Sequence, residues 1–289
     1  MKKVLFLLFL IGTTFTVSIS ASVNIPLNDG WLFNRGFQAS SGMAKVNLPH
    51  TWNAEDGMFG NTDYYRGLCN YTRKLQLPIQ YQGKRIFLKV GAAQTVADVF
   101  VDHHFVTQHK GGYTAFVAEL TDFIKPGKES TLEIRVNNAP TMDIAPICGD
   151  FNIFGGLYRG VELIVTDDVC IAPDYYASSG VFFTQTEVTE KKAALKIETL
   201  LSSKETSLGG CEVEFQLYDR GETTSSLGLQ QNIRREQGGN DHYNRQSSLV
   251  EWSERSVSVS GCCHIAKEWT RNRQEAGGNR IPLLSRRCR

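Results

Sequence analysis

A chain of 289 residues with 31 basic and 30 acidic side chains has a formal net charge of +1, so its charge balance selects no polyanionic partner and excludes nucleic acid as an expected ligand. Hydrophobic content of 41% beside charged content of 21% is enough to bury a core and too apolar for a disordered chain. The length admits one large domain or two ordinary ones.

The first element is a targeting signal. Lys2 and Lys3 precede an apolar run from Val4 to Gly12, and a small, hydroxyl-rich stretch reaches Ser20 and Ala21. That order is the pattern of a secretory signal peptide over 1–21, and the run is too short to span a bilayer. No cysteine comes after the run, so no lipid anchor is indicated. The mature chain is expected to begin near Ser22, exported to the periplasm or beyond and not membrane-bound after cleavage.

From 22 to 170 short alternating segments succeed one another. Arg85–Val90, Ala97–Val101, Ala115–Leu120 and Thr131–Asn137 each alternate apolar and polar residues with period two, which predicts strands. Gln82-Gly83, Gly111-Gly112, Pro126-Gly127 and Asn137-Asn138 separate them as turn formers. No stretch shows a 3.6-residue apolar period, so the chain reads as all-β, a jelly-roll sandwich closed by the strand Gly160–Val165. Asp167, Asp168 and Pro173 mark a junction. Gly180–Thr184, Ala194–Leu200 and Glu212–Leu217 then read as the opening strands, over 171–219, of an immunoglobulin-like sandwich that needs about seven.

After Asp219 the character of the chain changes. Residues 220–289 hold 11 Arg against one Lys, whereas the preceding residues hold 6 against 13, and all 16 Phe lie before residue 220. No periodic segment is predicted there, and an irregular, disordered tail is expected. Cys69, Cys148, Cys170 and Cys211 are scattered without metal-ligand spacing and read as buried thiols, with a Cys69–Cys148 disulfide left open. Asn70-Tyr71-Thr72 matches a glycosylation sequon and is given no weight.

Four clusters carry a family resemblance: Asn47–Trp52 (N-L-P-H-T-W) with Glu55-Asp56-Gly57; Tyr64–Gly67 with Tyr71–Arg73; Val90–Ala92, Ala97–Val101 and His109–Phe116 (H-K-G-G-Y-T-A-F); and Gly149-Asp150-Phe151 running to Gly155–Arg159 (G-G-L-Y-R). In this order they resemble the amino-terminal, galactose-binding-like domain of family 2 glycoside hydrolases of the β-galactosidase type, over roughly 26–170. The resemblance implies an immunoglobulin-like second domain, a carbohydrate partner (a β-galactoside or related glycan), no cofactor and no metal, and a parent that is often oligomeric. It also implies that Asp150 sits on a loop that contacts the sugar, where a carboxylate accepts two hydroxyls at once. The competing reading is that Asp150 caps its own loop.

Other residues in these clusters read as structural. Gly111-Gly112 frees the backbone to turn before Tyr113 and Phe116 enter the core. Arg66, Arg73 and Arg159 are suited to hold loops. His50 and Trp52 have the look of a sugar-stacking pair, but Trp52 packing the sandwich is preferred.

Retaining glycosidases need two carboxyl groups about 5–5.5 Å apart. The resemblance places both on glutamates of a (β/α)₈ barrel, the first in an Asn-Glu pair. This sequence contains no Asn-Glu dipeptide. It also has no room for a barrel of about 250 residues after the sandwich. No catalytic residue is assigned. The tail offers an explanation when reverse-translated and read from the second base of each codon. Arg245–Val259 then permits V-N-P-H-L-W-N-G-A-N-G-P-Y-L-Y, and Gly278–Ser285 permits E-T-G-F-R-Y-Y-R, segments the family carries. Only the middle base of each shifted codon is free, so such matches are hard to obtain by chance. A frameshift after about residue 219 is expected. The leading function is thus the sugar-binding front of a glycoside hydrolase. The alternatives are a free-standing carbohydrate-binding module and a structural jelly roll without ligand.

Overall fold

The structure is a computed structural model that describes residues 16–18, 22–36, 42–56, 58, 64–144, 153–189, 193–204, 211–218, 227–229, 234–235, 244–252 and 260–268. The strands in chain order are β1 (Thr16–Ser18), β2 (Val23–Pro26), β3 (Trp31–Arg35), β4 (Ala44–Val46), β5 (Leu68–Gln76), β6 (Arg85–Val90), β7 (Val96–Val101), β8 (His104–Lys110), β9 (Phe116–Glu119), β10 (Glu129–Asn137) and β11 (Val161–Thr166). They continue as β12 (Cys170–Ile171), β13 (Val181–Val188), β14 (Ala193–Ser202), β15 (Cys211–Tyr218), β16 (Leu227–Leu229), β17 (Arg234–Arg235), β18 (Asn244–Trp252) and β19 (Ser260–Glu268). The only helix among the described residues is one 3₁₀ turn, Ile79–Tyr81.

Two antiparallel sheets form the sandwich. One runs β4-β3-β5-β10-β7-β8, the other β2-β11-β6-β9. Alternation decides what faces inward: Leu132, Ile134 and Val136 of β10, Ala97, Val99 and Val101 of β7, and Ile86, Leu88 and Val90 of β6 all enter one buried cluster. Strand β6 buries its other face as well. Phe87 joins Ile164 and Cys170 in a second cluster on the outer side of the smaller sheet, where the chain leaves the sandwich at the junction. That double burial is why Ile86, Phe87 and Leu88 are all apolar, a departure from the alternation expected of this strand.

Each sandwich strand read from the sequence is present, with ends shifted by a residue or two. Strands β3, β5 and β8 were not predicted. Beyond the junction, β14 pairs with both β12 and β13 along one edge and with β18 along the other, and β15 pairs with β16 and β19. The irregular tail expected after residue 219 is therefore interrupted by strands, two of them nine residues long. Backbone N–H and C=O groups of β14 and β15 are paired by these neighbours, a pairing that any extended backbone can supply whatever its side chains. Of the segment read as a targeting signal, only Thr16–Ser18 is described, paired with β19.

Candidate functional site

At one end of the sandwich four loops meet on two asparagines that are fully buried, Asn53 and Asn138. Asn53 Nδ2 donates to the Tyr65 carbonyl at 2.8 Å and to Asp56 Oδ2 at 2.6 Å, while its Oδ1 accepts the Gly155 amide at 2.7 Å. Asn138 Nδ2 donates to the Ile153 carbonyl at 2.9 Å and to Asn53 Oδ1 at 3.3 Å, and its Oδ1 accepts the Gly67 amide at 2.8 Å. Asp56 Oδ2 also takes the Tyr65 amide at 3.0 Å. Each buried amide side chain thus has its donors and its acceptor used, the condition under which a buried polar network fixes one conformation. Asn138 was visible in the sequence only as a turn former, and Asn53 not at all.

Aromatic rings form the wall behind this network. Trp52 lies 5% exposed with its ring 6.1 Å from Phe33 at an interplanar angle of 20°, and its Nε1 donates to the Tyr65 carbonyl at 3.3 Å. His50 Nδ1 and the Tyr71 hydroxyl are 2.7 Å apart. Burial holds the His50 imidazole below its ordinary pKa, so the neutral ring is favoured. Glycines let the loop close over these rings. A Cβ on Gly155 would lie 1.9 Å from Trp52 Cζ2, and one on Gly156, at φ +128°, would lie 2.4 Å from the His50 carbonyl oxygen. Trp52 is therefore part of the core, and His50, half-buried, packs against Phe33 and Tyr71 beside it.

On the amino-terminal side of position 150 the described residues form a first limb that reaches buried Ile144; on the other side a second limb resumes at Ile153, whose carbonyl Asn138 holds. Asp150 itself lies outside the described residues, as does Cys148. Lys110 pairs with Asp143 on the first limb at 2.7 Å. On the second limb Phe154 is 42% exposed and meets Tyr64 edge to face at 6.2 Å.

The three arginines do hold loops, through carbonyls rather than carboxylates. Arg66 Nε donates to Asn138 O at 2.9 Å, Arg159 Nη1 to Tyr113 O at 3.2 Å, and Arg73 Nη1 to Asp29 O. Tyr113, expected in the core, is 59% exposed; only Phe116 of that motif turns inward, stacked on His109. Gly112 allows this because Gln94 occupies the space a side chain would need. Cys69 is a free, buried thiol whose pKa burial pushes up to about 12, and Cys170 is likewise free and buried. Asn70 of the sequon is buried and donates to the Gly36 carbonyl.

The two-sheet topology and the loop cluster define an all-β sandwich of the kind that presents loops to carbohydrate. Residues 40–167 match the family described as glycosyl hydrolases family 2, sugar binding domain, and the chain carries that domain. It is 40% identical over 197 residues to a β-glucuronidase of Bacteroides fragilis, covering 68% of this chain and 28% of the relative. To a β-galactosidase of Thermoanaerobacter pseudethanolicus it is 31% identical over 186 residues, covering 63% of this chain and 24% of the relative. Among solved structures, a Bacteroides uniformis β-glucuronidase superposes with a TM-score of 0.66 at 27% identity, over 86% of this chain and 28% of that one. The likeness thus extends past residue 167 into the strands beyond the junction. This chain spans about a quarter of the length of the relatives it matches.

Proposed function

We propose that these 289 residues are the exported, sugar-facing front of a glycoside hydrolase whose bond-breaking carboxylates belong to a further domain. The observation that supports this reading is the Asn53–Asn138 network, which ties Asn138, ahead of position 150, to Ile153 and Gly155 behind it, at one end of a sandwich matched by the family 2 sugar-binding domain. In the whole enzyme Asp150 accepts hydroxyl hydrogens of a terminal β-linked sugar and orients it; it neither protonates the leaving oxygen nor attacks the ring. The relatives' names leave two substrate classes, β-galactosides and β-glucuronides. Lys2, Lys3 and the apolar run behind them support export.

The composition change after about residue 219 supports a shift of reading frame there. Resequencing tests it: codons incompatible with the shifted motifs would end that idea. With the frame restored and the continuous chain expressed, hydrolysis of a chromogenic β-galactoside or β-glucuronide is expected. Asp150→Ala is expected to raise KM at least about tenfold, the loss of one or two hydrogen bonds from a charged acceptor. An unchanged KM would remove Asp150 from the site. Micromolar binding of galactosides by the 289-residue chain without any hydrolysis by the continuous one would favour the free-standing module.

A further inference from the structure

Away from the Asp150 loop, a cleft of about 640 Å³ opens where the sandwich meets the chain beyond the junction, with Asp168 and Lys204 on one side and the turns 79–86 and 121–128 on the other. That is the size of a small-ligand site, and such sites favour junctions between structural units. Its lining combines apolar surface with cations. Ile86 and Ile124 are buried behind it, while Ile79 is 63% exposed. Three of the cations are committed within the protein: Arg85 to Glu119 at 2.9 Å, Lys84 to Asp167, and Lys204 to Asp122. Asp168 is occupied by the Ser203 hydroxyl at 2.7 Å and the Lys204 amide at 2.9 Å. Lys125 and Lys128, both exposed on the turn that edges the cleft, have no carboxylate partner among the described residues.

We propose that this cleft is a second carbohydrate subsite, for an oligosaccharide whose hexose units carry an anionic group, carboxylate or sulfate. The Lys125 and Lys128 ammonium groups pair with the anionic substituent, and the exposed Ile79 side chain takes the apolar face of a ring. The inference rests on the chain being a carbohydrate-binding protein, and it is separate from the Asp150 loop and from the bond-breaking step.

Titration calorimetry on the full chain tests it with four probes: tetragalacturonate, a sulfated galactotetraose, neutral β-1,4-galactotetraose and inorganic sulfate. At least one acidic tetrasaccharide is expected to bind. Lys125→Glu with Lys128→Glu is expected to weaken it at least tenfold, and the milder pair Lys125→Gln with Lys128→Gln to weaken it less, with thermal midpoints unchanged. Lys45→Glu, an exposed site on β4, is expected to leave binding unaltered. The proposal is overturned if neither acidic tetrasaccharide binds, if the neutral one binds equally, if inorganic sulfate binds as tightly as the acidic chains, or if the Lys125/Lys128 variants bind normally. Hydrolysis of a neutral chromogenic substrate by the continuous chain should not respond to these variants. A failure here therefore leaves the Asp150 reading standing, and a failure of that reading shows in hydrolysis alone.

Discussion

Asn53 and Asn138 bridge loops that lie far apart in sequence: Asn138 is tied to Gly67, to Ile153 and to Asn53 itself. Removing the Asn138 side chain would take the partner from the part-buried Gly67 amide and the part-buried Ile153 carbonyl together. Leaving such groups unpaired costs roughly 1–3 kcal/mol each. Asn138→Ala is therefore expected to destabilise the chain by roughly 2–4 kcal/mol, read from the urea midpoint, and to loosen the Asp150 loop toward proteolysis. A midpoint shift of less than about 0.5 kcal/mol would mean that water replaces the amide without loss. At the same scale the sequence was hardest to read. Asn and His look alike whether they cap a turn or hold four loops, and only the fold reveals that Asn53 has no access to solvent. Tyr113 departs from the core position expected of it for a related reason: its motif turns at Gly112, where Gln94 fills the space, so alternation does not continue through it.

Among the elements, β6 links the sandwich to the chain beyond it. Arg85, 5% exposed, pairs both guanidinium arms with the two Glu119 oxygens at 3.0 and 2.9 Å, donates to Ser202 Oγ at 3.0 Å, and stacks over Phe87 at 4.7 Å. Burial alone would raise the Glu119 pKa, but the Arg85 fork, the Thr121 hydroxyl and the neighbouring positive charges outweigh it and hold it below the ordinary value of 4.5. A carboxylate with a depressed folded pKa contributes stability that is fully present above its unfolded pKa and is lost as pH falls through the folded one. Glu119→Gln is thus expected to lower stability at neutral pH and to flatten the acid limb of the stability curve below about pH 4.5. An acid limb parallel to that of the unmodified chain would contradict the assignment. The strands around Arg85 were legible because β7 and β10 keep strict alternation and turn formers bound the largely apolar β6. Strand β5 was not, because Arg73 interrupts the inward series Cys69, Tyr71, Leu75 and sends its side chain to the Asp29 carbonyl. Strand β8 was missed because its hairpin turns on Asp102 and His103, both at positive φ, with no glycine to announce it.

On the scale of the whole molecule, the proposed function divides labour between a sandwich that positions sugar and a separate catalytic part. The family could be read from four motifs spread over 26–170, because turn glycines and loop-holding arginines leave a sequence trace. The substrate could not, since the relatives this chain resembles include both a β-glucuronidase and a β-galactosidase. The division itself is tested most directly by incubating the purified 289-residue protein with chromogenic β-galactoside and β-glucuronide. No release of chromophore above the buffer rate is predicted at any pH, whereas turnover that survives repurification would show that these residues contain a catalytic pair of their own.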